Sequence, residues 1–131
     1  MRSHVEFRSA ALIDPSPAAG GGMVAGILKD NLPLHGFEVV AVTQEDWGVH
    51  IALTNDAFAL SIGCGHYAEY PDGHLCFIEP SKPAIRRWLR KVSTTETVEK
   101  LAAVLDDILA QRNDIHHLRW WTEAEVTGQP D

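Results

Sequence analysis

The sequence predicts a single α+β domain, residues 1–131, in which helices cover a mainly antiparallel sheet of four or five strands. Apolar residues alternate with polar or small ones on both sides of Asn55-Asp56, which is typical of two half-buried strands joined by a turn. The apolar positions are Val49, Ile51 and Leu53 before the turn, and Phe58, Leu60 and Ile62 after it. Apolar residues between Val98 and Leu109 recur at helical intervals, which indicates a long amphipathic helix.

The register of this hairpin follows from the length of its turn. A two-residue loop at Asn55-Asp56 would align all the apolar positions on one face. The facing pairs would be Leu53–Phe58, Ile51–Leu60 and Val49–Ile62 and, across a second loop at Glu45-Asp46, Val42–Val49 and Val40–Ile51. We expect the long helix to pack on the face formed by Val49, Ile51 and Leu53.

The predicted order of elements is β-α-β-β-β-β-α-α-β. The predicted strands are at 5–8, 37–42, 49–54, 58–63, 74–79 and 117–122. A helix begins at Met23, is disturbed by Pro33 and is capped by Gly36. Two further helices lie between the strands at 74–79 and 117–122. The tail at 123–131 is polar and should be frayed.

Two cap signals place the predicted helices after the fourth sheet strand. Ser81 caps a short helix with Pro83 in its first turn, and Ser93 with Glu96 has the spacing of a capping box for the long helix. The apolar stripe of the short helix would be Ile85, Trp88, Leu89 and Val92.

The bulk composition restricts the class of partner. The net charge is −7 and the pI is near 5.4, which is the wrong sign for a general nucleic-acid binder or anionic-membrane binder. No apolar run reaches the length of a membrane helix, and the N-terminus lacks the apolar stretch of a signal peptide. With two cysteines in 131 residues, we expect a cytoplasmic protein with free thiols.

Cysteine and histidine flank one turn as Cys64-x-His66 and His74-x-Cys76. These side chains are zinc ligands, but their spacing matches no common zinc motif. If Leu75 and Phe77 complete the apolar face, His74 and Cys76 point to the opposite side and the four ligands never converge. The same parity argues against a disulfide. Buried free cysteines are the favoured interpretation, a metal site is a minor alternative, and no cofactor is expected.

The sequence contains no clear motif for phosphate binding, dinucleotide binding or catalysis. The glycines at 20–22 and 26 lack the lysine of a phosphate-binding loop and the preceding strand of a dinucleotide fold, so they predict a flexible helix entry. No catalytic motif is present, and no catalytic residue is assigned. Acid–base candidates are Asp46, His50, His66, Glu69 and Glu79. A deep pocket joining Asp46, His66 and Glu79 would favour an enzyme.

Positive charge is concentrated in one short segment of this acidic chain. Five of its eleven basic residues lie within ten positions: Lys82, Arg86, Arg87, Arg90 and Lys91. A solvated face is the ordinary interpretation, and an acidic protein partner is the functional one. Trp120 and Trp121 should point to opposite faces of a strand, so the exposed one could anchor the same partner. The predicted partner-binding residues are Arg86, Arg87, Arg90, Lys91, Trp120 and Trp121.

Several segments together resemble a family of small, uncharacterised bacterial proteins. The segments are Glu45-Asp46-Trp47-Gly48, Ile62-Gly63-Cys64-Gly65, Leu75 to Ser81, Arg86-Arg87-Trp88 and Arg119-Trp120-Trp121. The resemblance spans nearly the whole chain and implies a bacterial cytoplasmic protein of α+β type. It implies no activity, so it assigns no catalytic residue.

These observations favour a non-catalytic binding or accessory protein that acts through protein–protein contact. Its expected partner is an acidic protein, with no nucleic acid and no membrane, and self-association into a homo-oligomer stays open. The alternative is an unrecognised enzyme or a small-ligand-binding protein.

Overall fold

The computed structural model describes residues 1–14 and 20–128. Its strands are β1 (Arg2–Arg8), β2 (Val39–Glu45), β3 (Gly48–Leu53), β4 (Leu60–His66), β5 (Gly73–Glu79), β6 (Ala84–Arg87), β7 (Arg90–Ser93) and β8 (His116–Thr122). Its helices are α1 (Gly22–Asn31), α2 (Thr95–Ala110) and α3 (Glu123–Thr127), with short 3-10 turns at Ala10–Leu12 and Leu32–His35. No described helix is long and apolar enough to cross a membrane.

The predicted α+β class is confirmed, but the sheet is larger than expected. Six antiparallel strands lie in the order β2-β3-β4-β5-β1-β8, and β6 with β7 forms a separate two-stranded hairpin. The prediction of four or five strands was wrong because β1 lies inside the sheet, between β5 and β8. β1 therefore brings the C-terminal strand β8 into the same sheet.

The hairpin register differs from the prediction by two residues. Leu53 lies opposite Leu60 instead of Phe58, so the expected facing pairs across Asn55-Asp56 were wrong. The loop is wider because the Asn55 side-chain amide donates a hydrogen bond to the carbonyl of Phe58 at 3.0 Å. A shift of two keeps each side chain on its expected face.

The β2–β3 register shifts in the same way. Val42 lies opposite Ile51 instead of Val49, because the turn is Asp46-Trp47 and Gly48 adopts a φ of 153°. A Cβ at Gly48 would meet the carbonyl oxygen of Cys64. Glycine is therefore required where this turn crosses β4.

Both long helices cover one face of the sheet. α1 lies over β3 and β4, whereas α2 lies mainly over β1 and β5. We expected the long helix to cover Val49, Ile51 and Leu53 of β3, and this was wrong, because α1 covers that strand. β1 widens the sheet, and α2 packs beside α1 over the added strand. The fully buried residues on this face include Val5, Phe7, Ile51, Ile62, Ile78, Leu101, Leu105 and Leu109.

The predicted short helix over 81–92 is absent, because this segment forms the β6–β7 hairpin. Ile85 lies opposite Val92, and both side chains pack at the edge of the core. The Ser93–Glu96 capping box was also wrong, since Ser93 belongs to β7 and Thr94 is the N-cap residue of α2. A capping box occurs instead at Thr122 and Glu125, where α3 orders part of the tail that was expected to fray. Residues 129–131 of that tail lie outside the described residues.

The glycine-rich entry to α1 is ordered by two contacts. Asp14 accepts hydrogen bonds from the backbone N–H groups of Gly22 and Met23, both at 2.8 Å, and so caps the helix from eight residues away. Gly21 adopts a φ of 85°, and a Cβ there would lie 2.1 Å from the carbonyl oxygen of Cys64. Gly36, with a φ of 89°, ends the following turn as predicted.

Substitution at two glycines tests this packing. Gly21→Ala should lower the free energy of unfolding by more than about 1 kcal/mol, because its Cβ would collide with backbone and its φ is positive. Gly26→Ala is the matched control: it lies inside α1 in open space and should stabilise the protein by about 0.5–1 kcal/mol. Urea unfolding measures both values, and equal effects would contradict the packing described.

Candidate functional site

The β6–β7 hairpin is fixed to the domain at its base. The Thr94 N–H bonds the Pro83 carbonyl at 3.0 Å, and the Thr94 hydroxyl donates to the carbonyl of Lys82. Higher up, Arg87 donates to the carbonyls of Asp56 and Ala57 at 2.9 and 2.6 Å. Thr94 therefore fixes the base of the hairpin, and Arg87 holds its upper part against the β3–β4 loop.

The tip of the hairpin exposes two large apolar side chains. Trp88 is 87% exposed and Leu89 is 81% exposed, although the sequence predicted them in a buried stripe. Trp88 also has a φ of 58°. A left-handed conformation costs a residue with a side chain roughly 1–2 kcal/mol. Local stability therefore does not explain a tryptophan at this position.

Like charges face one another directly beneath this tip. Arg86 lies opposite Lys91 and Arg87 lies opposite Arg90. Among the described residues, none of these four cations forms an ion pair with a carboxylate. Like charges directly opposite on a strand pair are destabilising, each by roughly 0.2–1 kcal/mol. The tip of the hairpin thus brings together four cations and two exposed apolar side chains, an arrangement that local interactions between the two strands disfavour.

The structure places the two predicted C-terminal tryptophans elsewhere. Trp120 donates its indole N–H to Asp106 of α2 at 2.9 Å, and Trp121 donates to Glu6 of β1 at 2.7 Å. Both side chains are half-buried, on opposite faces of β8. The aromatic residue that lies among the cations is Trp88. The seven-residue separation of Ile85 and Val92, centred on Trp88-Leu89, could have indicated this hairpin.

The cysteine–histidine cluster lies on one face, contrary to the parity argument. Cys64 lies opposite Cys76 with their sulfurs 3.7 Å apart, and His66 lies opposite His74. Leu75 and Phe77 point to the other face, because Gly63 leaves room there: a Cβ on Gly63 would lie 2.1 Å from the ring of Phe77.

These four residues nevertheless do not form a metal centre. The Nε2 of His74 donates to the Ser9 carbonyl at 2.9 Å, and its ring stacks on Phe7. His66 is exposed. Within residues 1–14 and 20–128, no group of three or more potential ligands is arranged to hold a metal ion. Both cysteines are free and buried, as predicted.

The hydrogen bond from Cys76 and burial together raise the pKa of Cys64 well above its ordinary value. Nothing in this arrangement supplies an acidic, reactive thiol, because such thiols lie in electropositive and partly exposed surroundings. The pair is a packed part of the core.

The sheet face opposite α1 and α2 carries a small cavity of about 270 Å³, which α3 partly covers. It is lined by His4, Glu6, Tyr67, Leu75, Trp121, Glu125 and Val126. Burial lowers the pKa of His4 below its ordinary value, against the opposing effect of Glu123 and Glu79. Sequence analysis missed this cavity because β1, β5 and β8 are distant in the chain.

The three residues that would have favoured an enzyme do not meet. His66 lies opposite His74 at one end of the sheet, whereas Glu79 lies opposite Ser61 at the other end. Five residues of strand separate these positions, which is roughly 17 Å. Asp46 lies in the β2–β3 turn, and the described cavities do not join it to His66 or Glu79.

Comparisons of the chain with protein-family models, with curated proteins and with solved structures found no match. The resemblance to small bacterial proteins therefore stays an expectation. The functional argument rests on the geometry of the described residues.

The cysteine pair makes a chemical prediction. In the native protein at pH 8, both thiols should react with an aromatic disulfide reagent only as fast as the protein unfolds, because both are buried and the pKa of Cys64 is raised. In denaturant both should react at once, which provides the control. A native thiol that reacts at the rate of a free cysteine peptide would contradict this account.

Proposed function

We propose that this protein is a protein-binding module that engages an acidic partner through the tip of the β6–β7 hairpin. The observation that supports the proposal is the concentration of unfavourable features at one tip: facing like charges, a left-handed tryptophan and an exposed leucine. Residues that break local rules in a folded protein are often retained for function.

The chemistry of the tip fits an acidic protein surface. Tryptophan and arginine are the residues most enriched at binding hot spots, and carboxylates pair with arginine through two parallel hydrogen bonds. Anions from a partner would also relieve the repulsion between Arg86 and Lys91. The remainder of the chain is strongly acidic, so this cluster creates a dipolar surface that orients oppositely charged partners.

The binding residues predicted from the sequence differ in whether they already have partners within the domain. Arg86, Arg90 and Lys91 extend from the hairpin without internal partners among the described residues, so they are assigned to contact. Arg87 is assigned a dual role, because it also bonds the β3–β4 loop. Trp88 takes the anchoring role that sequence analysis gave to Trp120 or Trp121.

Reversal of one charge separates binding from stability. Arg90→Glu should abolish partner capture and yet stabilise the hairpin by roughly 0.2–1 kcal/mol, because glutamate would face Arg87. The partner is captured in the native cell with a photo-crosslinking side chain at Leu89 and identified by mass spectrometry. Lys100→Glu, an equal charge change on α2, is the control and should capture the partner normally. The proposal would be contradicted if Arg90→Glu captured the same proteins as the wild type. It would also be contradicted if the side chain at Leu89 crosslinked only to lipid.

The anchor residue can be tested in the same way. Trp88→Gly should keep or raise the thermal midpoint, because glycine adopts a φ of 58° without strain. It should also weaken binding of the identified partner by at least tenfold, which corresponds to about 1.4 kcal/mol. Calorimetric titration measures the affinity. An unchanged affinity would show that Trp88 does not contact the partner.

A second candidate function is binding of a small ligand in the cavity beside Trp121. The supporting observation is that a half-buried carboxylate, a phenol and an imidazole with a lowered pKa line one space of about 270 Å³. Leu75→Trp would fill the cavity and should abolish any ligand-induced rise in the thermal midpoint. The basic hairpin does not contribute to this cavity, so Arg90→Glu should leave such binding unchanged.

A further inference from the structure

Building on the function proposed above, we infer that the hairpin recognises an acidic peptide segment, one carboxylate of which enters the space between the β6–β7 hairpin and the β3–β4 loop. That space is a cavity of about 400 Å³ directly beside the tip. Its volume lies within the range of roughly 300–1,000 Å³ that is typical of ligand sites. The cavity is lined by Asp56, Ala57, Arg87, Trp88, Arg90 and Val92.

The four cations of the hairpin lie on two different faces. Side chains alternate along a strand, so Arg87 and Arg90 share one face with Val92. Arg86 and Lys91 lie on the other face. The cavity agrees with this division, since Arg87 and Arg90 line it and the other two cations do not. One wall of the cavity therefore carries a pair of guanidinium groups.

Arg87 is already positioned for such a contact. Its Nη1 donates to the carbonyls of Asp56 and Ala57 at 2.9 and 2.6 Å, which leaves its Nε and Nη2 donors without an acceptor among the described residues. A guanidinium that is held in place loses less conformational entropy when a ligand binds. Arg90 faces it across the strand pair and has no ion pair within the described part of the chain.

The lining favours a carboxylate that is followed or preceded by an apolar side chain. The two oxygens of a carboxylate match the parallel N–H groups of arginine. The half-buried Val92 and the exposed indole of Trp88 line the same cavity, so an apolar neighbour of that carboxylate has a surface to cover. A single extended chain can enter the space between two loops, whereas a folded acidic surface would rest on the tip alone. An acidic segment with interspersed apolar residues therefore fits this cavity.

Fluorescence anisotropy of labelled peptides with the intact chain tests the inference. The probe is a blocked peptide in which glutamate alternates with leucine, and the reference peptide carries glutamine in place of glutamate. The glutamate peptide should bind with a dissociation constant below about 1 mM, and about tenfold or more tighter than the glutamine peptide. Equal binding of the two peptides, or no binding of the glutamate peptide at that concentration, would overturn the inference.

Two charge reversals separate the cavity from the overall charge of the hairpin. Arg90→Glu should weaken binding of the glutamate peptide by about tenfold or more, because Arg90 lines the cavity. Lys91→Glu should weaken it by no more than about threefold, because Lys91 lies on the other face and salt screens its charge. Both variants set a glutamate opposite an arginine, so the hairpin should stay folded in both. Equal losses of affinity would contradict the inference.

Removal of a negative charge should have the opposite effect. Asp56 lines the cavity, so Asp56→Asn should strengthen binding of the glutamate peptide by about twofold. Asp107→Asn, which removes an equal charge from an exposed position on α2, is the control and should leave the affinity unchanged. An affinity that does not rise with Asp56→Asn would place the carboxylate outside the cavity.

The combined results distinguish a failure of this inference from a failure of the proposed function. If a partner is captured through Leu89 but the glutamate peptide does not bind, the partner uses a folded acidic surface, and only the inference is wrong. If Arg90→Glu neither weakens the peptide nor reduces capture, both are wrong. Displacement of the peptide by a single-stranded oligonucleotide of the same net charge would indicate general polyanion binding and would also overturn the inference.

Discussion

The whole fold depends on the insertion of β1 between β5 and β8. β8 pairs with no other strand among the described residues, so β1 alone joins it to the sheet. Side chains of β1 then fix the elements around it. Arg2 bonds Glu99 of α2, Glu6 bonds Trp121 of β8, and Arg8 bonds Asp72 of the turn before β5. These contacts join residues 64 to 115 positions apart, so the ends of the chain must meet before the core is complete.

This dependence explains which parts of the fold the sequence could predict. Local patterns located the strands around Ile51, Ile62 and Cys76 and the helix around Leu105, because their apolar spacing is set by one neighbouring layer. The register errors were of two residues, so they preserved the faces. The order of the strands in the sheet could not be predicted from the sequence. The short alternation of residues 2–8 does not indicate which strands will pair with it.

The β6–β7 hairpin shows a different failure of sequence analysis. Ile85 and Val92 are seven residues apart, which fits two turns of a helix and also fits facing positions across a two-residue hairpin loop. The usual hairpin signal is asparagine or glycine at a position of positive φ, and here that position is Trp88. Local propensity therefore predicted a helix. The segment forms a hairpin instead, because that conformation packs both Ile85 and Val92 against the core.

Structural residues can be distinguished from candidate functional residues by whether their polar and apolar groups find partners within the domain. The cysteine pair, Trp120 and Trp121 all looked unusual in the sequence, yet each has partners within the described domain. The tip of the hairpin is the opposite case. Arg86, Lys91 and Trp88 carry repulsion, backbone strain and exposed apolar surface that no contact among the described residues offsets. A partner surface that pairs with these cations and covers Trp88 would offset those costs, which is why we propose the tip as the binding site.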